Sequence, residues 1–110
     1  MNEKYIVKYS SVALQDLKDI YGYIAFELKE PSIAKKQVDR IRNDIKGLSD
    51  FPNRFHLVEF EPFHSMEMRQ FAVNNYVVFY LTDDKNYSVN IIRILYGGRD
   101  IENTLKEIQG

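Results

Sequence analysis

The chain has 110 residues, a formal net charge of −1, 45% hydrophobic residues and no cysteine. The lack of cysteine excludes a disulfide framework or a thiolate metal site, and no apolar run reaches the roughly 20 residues that span a bilayer. The near-neutral charge disfavours a sequence-independent nucleic-acid binder, which is usually basic, so these features predict one domain over residues 1–110 with a cytoplasmic location.

The first half of the sequence predicts a strand followed by two helices. Residues 5–9 are β-branched and aromatic, which is typical of a strand, and Ser10 or Ser11 can cap a helix that runs to about Lys29. The apolar stripe of this helix is Leu14, Leu17, Ile20, Tyr21, Ile24 and Leu28. Pro31 interrupts the pattern, and a second helix then carries a narrow apolar seam. The seam residues are Ala34, Val38, Ile41, Ile45 and Leu48. A short turn between two helices indicates an antiparallel helical hairpin.

The second half of the sequence changes to the alternation of strands. Residues 66–73 alternate weakly, residues 76–81 are apolar on both faces as in a central strand, and residues 89–96 form a further strand. Residues 57–60 fit a short strand. A final helix is marked by Ile101, Leu105 and Ile108. We therefore predict an α+β fold in the order β-α-α-β-β-β, with the hairpin on one face of a mostly antiparallel sheet, a short C-terminal helix and a second face that is partly open.

Two arginines lie between apolar neighbours on the predicted strands. The neighbours on the same predicted face are Phe71 and Val73 for Arg69, and Ile91 and Leu95 for Arg93. Because an unpaired buried charge is costly, two interpretations stay open. Either these arginines lie at an edge or form salt bridges to Glu67 or Asp100, or they form a cationic patch that holds a phosphate or a partner carboxylate.

Other polar residues give weaker indications. Tyr96 and Arg99 flank the glycine pair after the last strand, where site residues often lie on loops. The histidines, His56 and His64, are too few and too far apart in sequence for a zinc site, so no metal is predicted. The second helix has more cations than anions: Lys35, Lys36, Arg40, Arg42 and Lys46 against Asp39 and Asp44. This pattern is typical of a solvated face, with an acidic partner as the alternative.

Six segments, in order along nearly the whole chain, match a known family pattern. They are residues 9–13 (YSSVA), 16–17 (DL), 51–52 (FP), 68–69 (MR), 75–80 (NYVVFY) and 92–100 (IRILYGGRD). Together they resemble the RelE/ParE-like toxins of bacterial type II toxin–antitoxin systems, which are also known as plasmid-stabilisation or addiction-module toxins. The Gly-Gly-Arg-Asp ending is closer to the ParE branch.

The resemblance implies a toxin that inhibits bacterial growth, needs no cofactor and is neutralised by a cognate antitoxin protein. ParE-like members inhibit DNA gyrase without a hydrolytic site, whereas RelE-like members are mRNA interferases that cleave mRNA on the ribosome. Gly98 stands where many relatives have a further arginine, and no lysine cluster precedes Arg69. With the slightly negative net charge, these features count against RNA cleavage, and the resemblance to the ParE branch then implies gyrase inhibition. A ribosome-dependent endonuclease and a non-toxic antitoxin-binding module are the alternatives.

The resemblance also assigns candidate site residues. In a RelE-like enzyme Arg69, Arg93 and Tyr96 are the expected catalytic residues. The arginines would hold the phosphate, and Tyr96 or His64 would move protons as a ribose 2′-hydroxyl attacks it. The residues expected to bind the target or its phosphates are Arg69, Arg93, Arg99 and His64.

Overall fold

Four strands and three helices make up the part of the chain that the computed structural model describes, residues 4–98 and 100–107. In chain order they are β1 (Ile6–Tyr9), α1 (Ser11–Gly22), α2 (Pro31–Lys46), β2 (Arg69–Val73), β3 (Tyr76–Asp83), β4 (Ser88–Tyr96) and α3 (Ile101–Glu107). A π-helical turn, Tyr23–Glu27, extends α1, and a 3-10 turn, Gly47–Ser49, extends α2. The predicted α+β order is confirmed, while Ile108 lies outside the described residues.

The strands form one sheet in the order β1-β4-β3-β2. β1 runs parallel to β4, and the other two pairs are antiparallel, so the prediction of a mostly antiparallel sheet is confirmed. Residues 57–60 do not form the short strand that their sequence fits. Only Leu57 makes an isolated bridge, to Arg69 at the start of β2.

The helical hairpin covers one face of the sheet, as the helical and strand periodicities predicted. Alternate residues of β3, Val78 and Tyr80, point into the same core as Phe71 of β2. The hairpin supplies Ala13, Leu17, Ile20, Ala34, Ile41 and Ile45, all of them buried. Burying a side chain such as Ile41 contributes about 1.5–3 kcal/mol, so this interface supplies much of the energy that holds the hairpin on the sheet.

The second face of the sheet is partly open, as expected, because Ala72 is exposed on it and Val77 is only half-buried. A second buried cluster covers part of this face, made of Val58, Phe63, Met68, Phe79, Leu95 and Leu105. Phe79 and Leu95 come from the sheet, Leu105 comes from α3, and the others come from the loop between α2 and β2. The physical reason lies in β3, which is apolar on both faces and therefore needs cover on both.

A β-bulge in β4 places Ile91 and Leu95 on opposite faces of the sheet. Arg93 pairs with Phe79 and Ile91 pairs with Tyr80, so Ile92 is an extra residue with no partner in β3. Ile91 consequently packs in the hairpin core while Leu95 packs in the second cluster. The predicted common face of Arg93, Ile91 and Leu95 is therefore wrong, because an extra residue in a strand shifts the alternation of side chains.

At the junction of β1 and α1, Ser10 hydrogen-bonds to the edge of β4 beyond the end of β1. Ser10 is the N-cap of α1, and its hydroxyl oxygen accepts a hydrogen bond from the backbone N–H of Ala13 at 2.9 Å. The same hydroxyl donates to the carbonyl oxygen of Ile92 at 3.0 Å. One side chain therefore caps the helix and also ties it to the sheet.

We expect Ser10→Ala to lower the free energy of unfolding by about 1–2 kcal/mol, since it removes both an N-cap and a hydrogen bond to the sheet. The measurement is urea denaturation at neutral pH. Ser11→Ala is the matched control, because Ser11 is an exposed neighbour, and its effect should stay within about 0.5 kcal/mol. Equal effects of the two substitutions would contradict the capping role.

Candidate functional site

Arg93 forms a two-pronged ion pair with Asp16. Its Nε donates to Oδ2 of Asp16 at 2.7 Å, and its Nη2 donates to Oδ1 at 2.9 Å. The side chains are only 15% and 9% exposed, respectively. The hydrogen bonds to Asp16 raise the pKa of Arg93 above its ordinary value, although burial opposes this. The salt bridge, one of the two interpretations from the sequence, therefore forms, with Asp16 as the partner instead of Glu67 or Asp100.

Asp16 also accepts a hydrogen bond from the backbone of β4. The backbone N–H of Ile94 donates to Oδ2 of Asp16 at 2.9 Å. β1 accompanies β4 only as far as Ile91, so this carboxylate takes the place that a further β1 carbonyl would occupy. Asp16 thus joins α1, the Arg93 guanidinium and the β4 edge, and this arrangement leaves little of the guanidinium for an incoming phosphate.

Arg69 is held at a different place. Its Nη1 donates to the carbonyl oxygen of Phe55 at 2.6 Å, in the loop that flanks β2. It pairs across the sheet with Tyr80, whereas Arg93 pairs with Phe79 on the other side of β3. Neighbouring strands lie nearly 5 Å apart, so about 10 Å separates the two arginine backbones. The two arginines therefore lie apart and hydrogen-bond to different partners.

A groove of about 740 Å³ lies between the helical hairpin and the end of the sheet where the start of β3 pairs with the end of β4. We call it the tyrosine groove, and its apolar and aromatic lining includes Tyr23, Ile24, Leu28, Ile33, Tyr76 and Tyr96. The rings of Tyr76 and Tyr96 meet edge to face with their centroids 5.9 Å apart. Burial is the main cause that raises the pKa of Tyr76, and nearby Tyr96 and Tyr23 raise it further.

Gln37 adds a polar donor to the wall of the tyrosine groove. Its Oε1 accepts a hydrogen bond from Nδ2 of Asn74 at 3.2 Å. Its Nε2 is buried and has no hydrogen-bond partner within residues 4–98 and 100–107. Burying such a donor without an acceptor costs about 1–3 kcal/mol, so an occupant of the groove that offers a carbonyl oxygen would recover that cost.

Among the other candidates, Tyr96 lines the tyrosine groove together with Arg93, whereas His64 lies on a separate loop. Tyr96 is 52% exposed at the mouth of the tyrosine groove. A Cβ atom on residue 98 would lie 2.5 Å from Cε2 of Tyr96, so the ring position observed here requires Gly98. His64 is exposed on the loop before β2, where its Nδ1 makes a 2.8 Å hydrogen bond with the carbonyl of Val58. Arg99 lies outside the described residues.

Sequence reasoning missed the importance of Asp16, Gln37 and Tyr76. Asp16 could have been found, because it lies on the buried side of α1 between Ala13 and Ile20, where a carboxylate needs a cationic partner. Gln37 and Tyr76 gave no comparable signal, since their roles depend on how the hairpin meets the sheet.

Residues 4–98 and 100–107 contain no cluster of three or more His, Asp or Glu side chains able to hold a metal ion. None of the helices in these ranges has the length and apolar character needed to cross a membrane.

The sequence matches the family model of the ParE toxin of type II toxin–antitoxin systems over residues 7–101. No curated protein matches it significantly. Among solved structures, the toxin of the chromosomal ParDE system of P. aeruginosa is similar, with a TM-score of 0.70 and 21% identity over 86% of this chain and 98% of that one.

Two further similar structures come from RelE-like systems. The RelBE2 complex of Mycobacterium tuberculosis gives a TM-score of 0.62 and 20% identity, covering 87% of this chain and 94% of that one. The RelE–RelB complex of Pyrococcus horikoshii OT3 gives 0.60 and 17%, covering 87% and 98%. At these identities the structural likeness establishes the shared fold, while the family model covers most of the chain. The chain therefore belongs to the ParE toxin family and is the toxin of a type II toxin–antitoxin system.

Proposed function

We propose that this toxin acts by binding a protein target, DNA gyrase, and that it does not cleave RNA. The observation that carries the proposal is the ion pair of Arg93 with Asp16. Because this arginine already pairs with a carboxylate of the toxin itself, its guanidinium is less able to bind a phosphate of RNA. The match to the ParE family supports the same choice, because the gyrase-inhibiting branch of the RelE/ParE-like toxins carries this name.

The geometry gives less support to the alternative, ribosome-dependent cleavage of mRNA. That reaction needs a base and an acid on either side of a phosphate, with cations to stabilise the developing charge. Arg69 and Arg93 have separate partners, and His64 is exposed on a loop whose neighbours pack in the second cluster. Tyr96 is half-exposed in a groove whose lining combines apolar and aromatic side chains with the carboxylates of Asp16 and Asp19 and with the paired Arg93. Such a lining suits a protein segment better than a polyanion.

The proposal includes a cognate antitoxin as the neutralising partner. Similar toxin folds occur in a ParDE system of P. aeruginosa and in RelE complexes with RelB antitoxins. Arg69, Arg99, His64 and Tyr96 stay predicted contacts of the target. A contact role for Arg93 stays a prediction too, and it must be tested alongside stability.

The decisive experiment combines two assays. We expect the purified toxin to block supercoiling by DNA gyrase, and primer extension on mRNA from expressing cells to show no codon-spaced cuts. Arg69→Ala should need about tenfold more protein for half inhibition if Arg69 contacts the target, while a thermal melt shows that it still folds. Lys85→Ala, in the exposed turn between β3 and β4, is the matched control.

The opposite outcome is equally clear. Cuts in mRNA that vanish in Arg69→Ala, with gyrase unaffected, would establish the nuclease alternative. If neither assay responds and expression leaves growth unchanged, while the antitoxin still binds, the chain is a non-toxic antitoxin-binding module.

A further inference from the structure

The tyrosine groove holds an unpaired negative charge beside its aromatic walls. Its charged lining residues within the described ranges are Asp16, Asp19 and Arg93. Asp16 and Arg93 pair with each other, so their charges largely cancel. Asp19 forms no salt bridge within residues 4–98 and 100–107, and its Oδ1 accepts a hydrogen bond at 2.9 Å from the neutral amide of Gln15. The carboxylate of Asp19 therefore gives this part of the groove a net negative charge.

A second carboxylate, Glu107 of α3, acts on the same region. Hydrogen bonds to Asp16 are the main cause that raises the pKa of Arg93, and the negative charges of Glu107 and Asp19 raise it further. Both of these carboxylates belong to exposed residues. They lie within electrostatic reach of a guanidinium whose charge Asp16 already offsets, so a cation entering the groove beside them would be attracted.

Three phenol rings border this negatively charged space. Tyr76 and Tyr96 meet edge to face at the end of the sheet, and Tyr23 lines the groove from the hairpin. Burial raises the pKa of Tyr76, and Tyr96 and Tyr23 raise it further, which agrees with three neighbouring hydroxyl groups. Tyr23 and Tyr96 are 56% and 52% exposed, so their rings are open to a ligand. The face of such a ring attracts a cation that lies within about 6 Å of its centroid.

The buried donor of Gln37 indicates what must accompany the cation. Its Nε2 has no hydrogen-bond partner in the described part of the chain, so a suitable ligand brings an acceptor oxygen as well as a positive charge. A metal ion or a polyamine has no such oxygen, whereas a peptide has a main-chain carbonyl beside every side chain. The volume of about 740 Å³ lies in the usual range of ligand sites, about 300–1,000 Å³, and accommodates a side chain with its flanking backbone.

We propose that the tyrosine groove binds an arginine side chain presented by a segment of a partner protein. The guanidinium stacks on the rings of Tyr23 and Tyr96 and donates to the carboxylate of Asp19. The adjacent main-chain carbonyl of the partner accepts a hydrogen bond from Nε2 of Gln37. Arginine fits better than lysine, because its planar group stacks on aromatic rings and donates two parallel hydrogen bonds to a carboxylate. This mode of binding goes beyond the choice between gyrase and the ribosome and does not depend on it.

The test is an NMR titration of the full-length toxin with the tripeptide Gly-Arg-Gly, acetylated and amidated at its ends. A second peptide carries citrulline, the uncharged analogue of arginine, and a third carries lysine. We expect the arginine peptide to shift the side-chain amide signals of Gln37 and the ring signals of Tyr23 saturably at millimolar concentrations. The citrulline peptide should bind at least about fivefold more weakly because it has no charge, and the lysine peptide about threefold more weakly.

Two variants and two matched controls locate the site. Tyr23→Ser and Asp19→Asn should each weaken binding of the arginine peptide about threefold, and together about tenfold, because they remove a ring and the unpaired carboxylate. Both positions are exposed, and the dispersion of the NMR spectrum shows that each variant still folds. Tyr87→Ser and Glu59→Gln make the same kinds of change at exposed positions outside the groove and should bind as the unmodified chain does.

Several results would overturn the proposal. One is an arginine peptide that causes no saturable shift at Gln37, and another is a citrulline peptide that binds equally well. Equal losses in the control variants would place the binding elsewhere. Tighter binding of spermidine would make the groove a polyamine site, and tighter binding of a single-stranded RNA that is lost in Tyr23→Ser would make it a nucleic-acid site. Because these titrations contain neither gyrase nor ribosomes, their failure would leave the assays of the toxin target unaffected.

Discussion

Asp16→Ala is expected to lower the free energy of unfolding by about 3–5 kcal/mol, because it strands a buried cation. The Arg93 guanidinium would keep its position, 15% exposed, with no carboxylate to accept its two hydrogen bonds. The backbone N–H of Ile94 would also lose its acceptor. A domain of this size has about 5–15 kcal/mol of stability, so the loss removes a large part of it.

The measurement is chemical denaturation of the purified variant, with a thermal melt expected to fall by roughly 15 °C or more. Asp19→Ala is the matched control on the same helix. Asp19 is exposed and accepts a hydrogen bond only from the exposed side chain of Gln15 among the described contacts, so the change should cost less than about 0.5 kcal/mol. If Asp16→Ala unfolds at the same denaturant concentration as the unmodified chain, the ion pair does not hold the fold together.

A double variant separates pairing from simple loss of contacts. Asp16→Ala combined with Arg93→Met removes both charges, and replacing a buried pair by apolar groups is often close to neutral. The double variant should therefore be more stable than Asp16→Ala alone. Its growth inhibition then tests Arg93 directly. Full toxicity in a folded protein that lacks this guanidinium would limit Arg93 to a structural role, whereas lost toxicity would restore its predicted contact with the target.

The fold was predictable because its signals are local. The seam of α2 repeats at helical spacing, and Ala34, Ile41 and Ile45 are buried in the core where the pattern placed them. The apolar run of β3 correctly indicated a central strand. Ser10 was identified as a possible cap because the hydroxyl of an N-cap acts on a backbone N–H only a few residues away.

The candidate site was less predictable because its contacts are not local. Arg93 and Asp16 are 77 positions apart in the sequence, on a strand and a helix that meet only in the folded chain. No periodicity in the sequence indicates such a pair. The cover over the second sheet face was missed for a related reason. The loop that carries Val58 and Phe63 has no regular pattern, and these two side chains are buried in one cluster with Phe79 and Leu95.

Burial raises the pKa of Tyr80 to about 12 from the ordinary 10.0. The side chain has no exposed surface, and its hydroxyl donates to the carbonyl oxygen of Pro52 at 2.7 Å. Above pH 10 the unfolded chain loses this phenolic proton while the folded chain keeps it. Stability therefore falls as the pH rises from about 10 towards 12, by about 2–3 kcal/mol for a shift of two pKa units.

Tyr80→Phe isolates that effect. The substitution removes the hydrogen bond to Pro52 and should cost about 1 kcal/mol at neutral pH, yet it also removes the phenol that titrates. The variant should therefore lose less stability than the unmodified chain between pH 9 and pH 11, so the two curves converge. Urea denaturation at a series of pH values measures this. Tyr87→Phe, which removes an exposed phenol, is the control and should keep the alkaline loss. Parallel curves for Tyr80→Phe and the unmodified chain would show that the Tyr80 hydroxyl does not couple folding to pH.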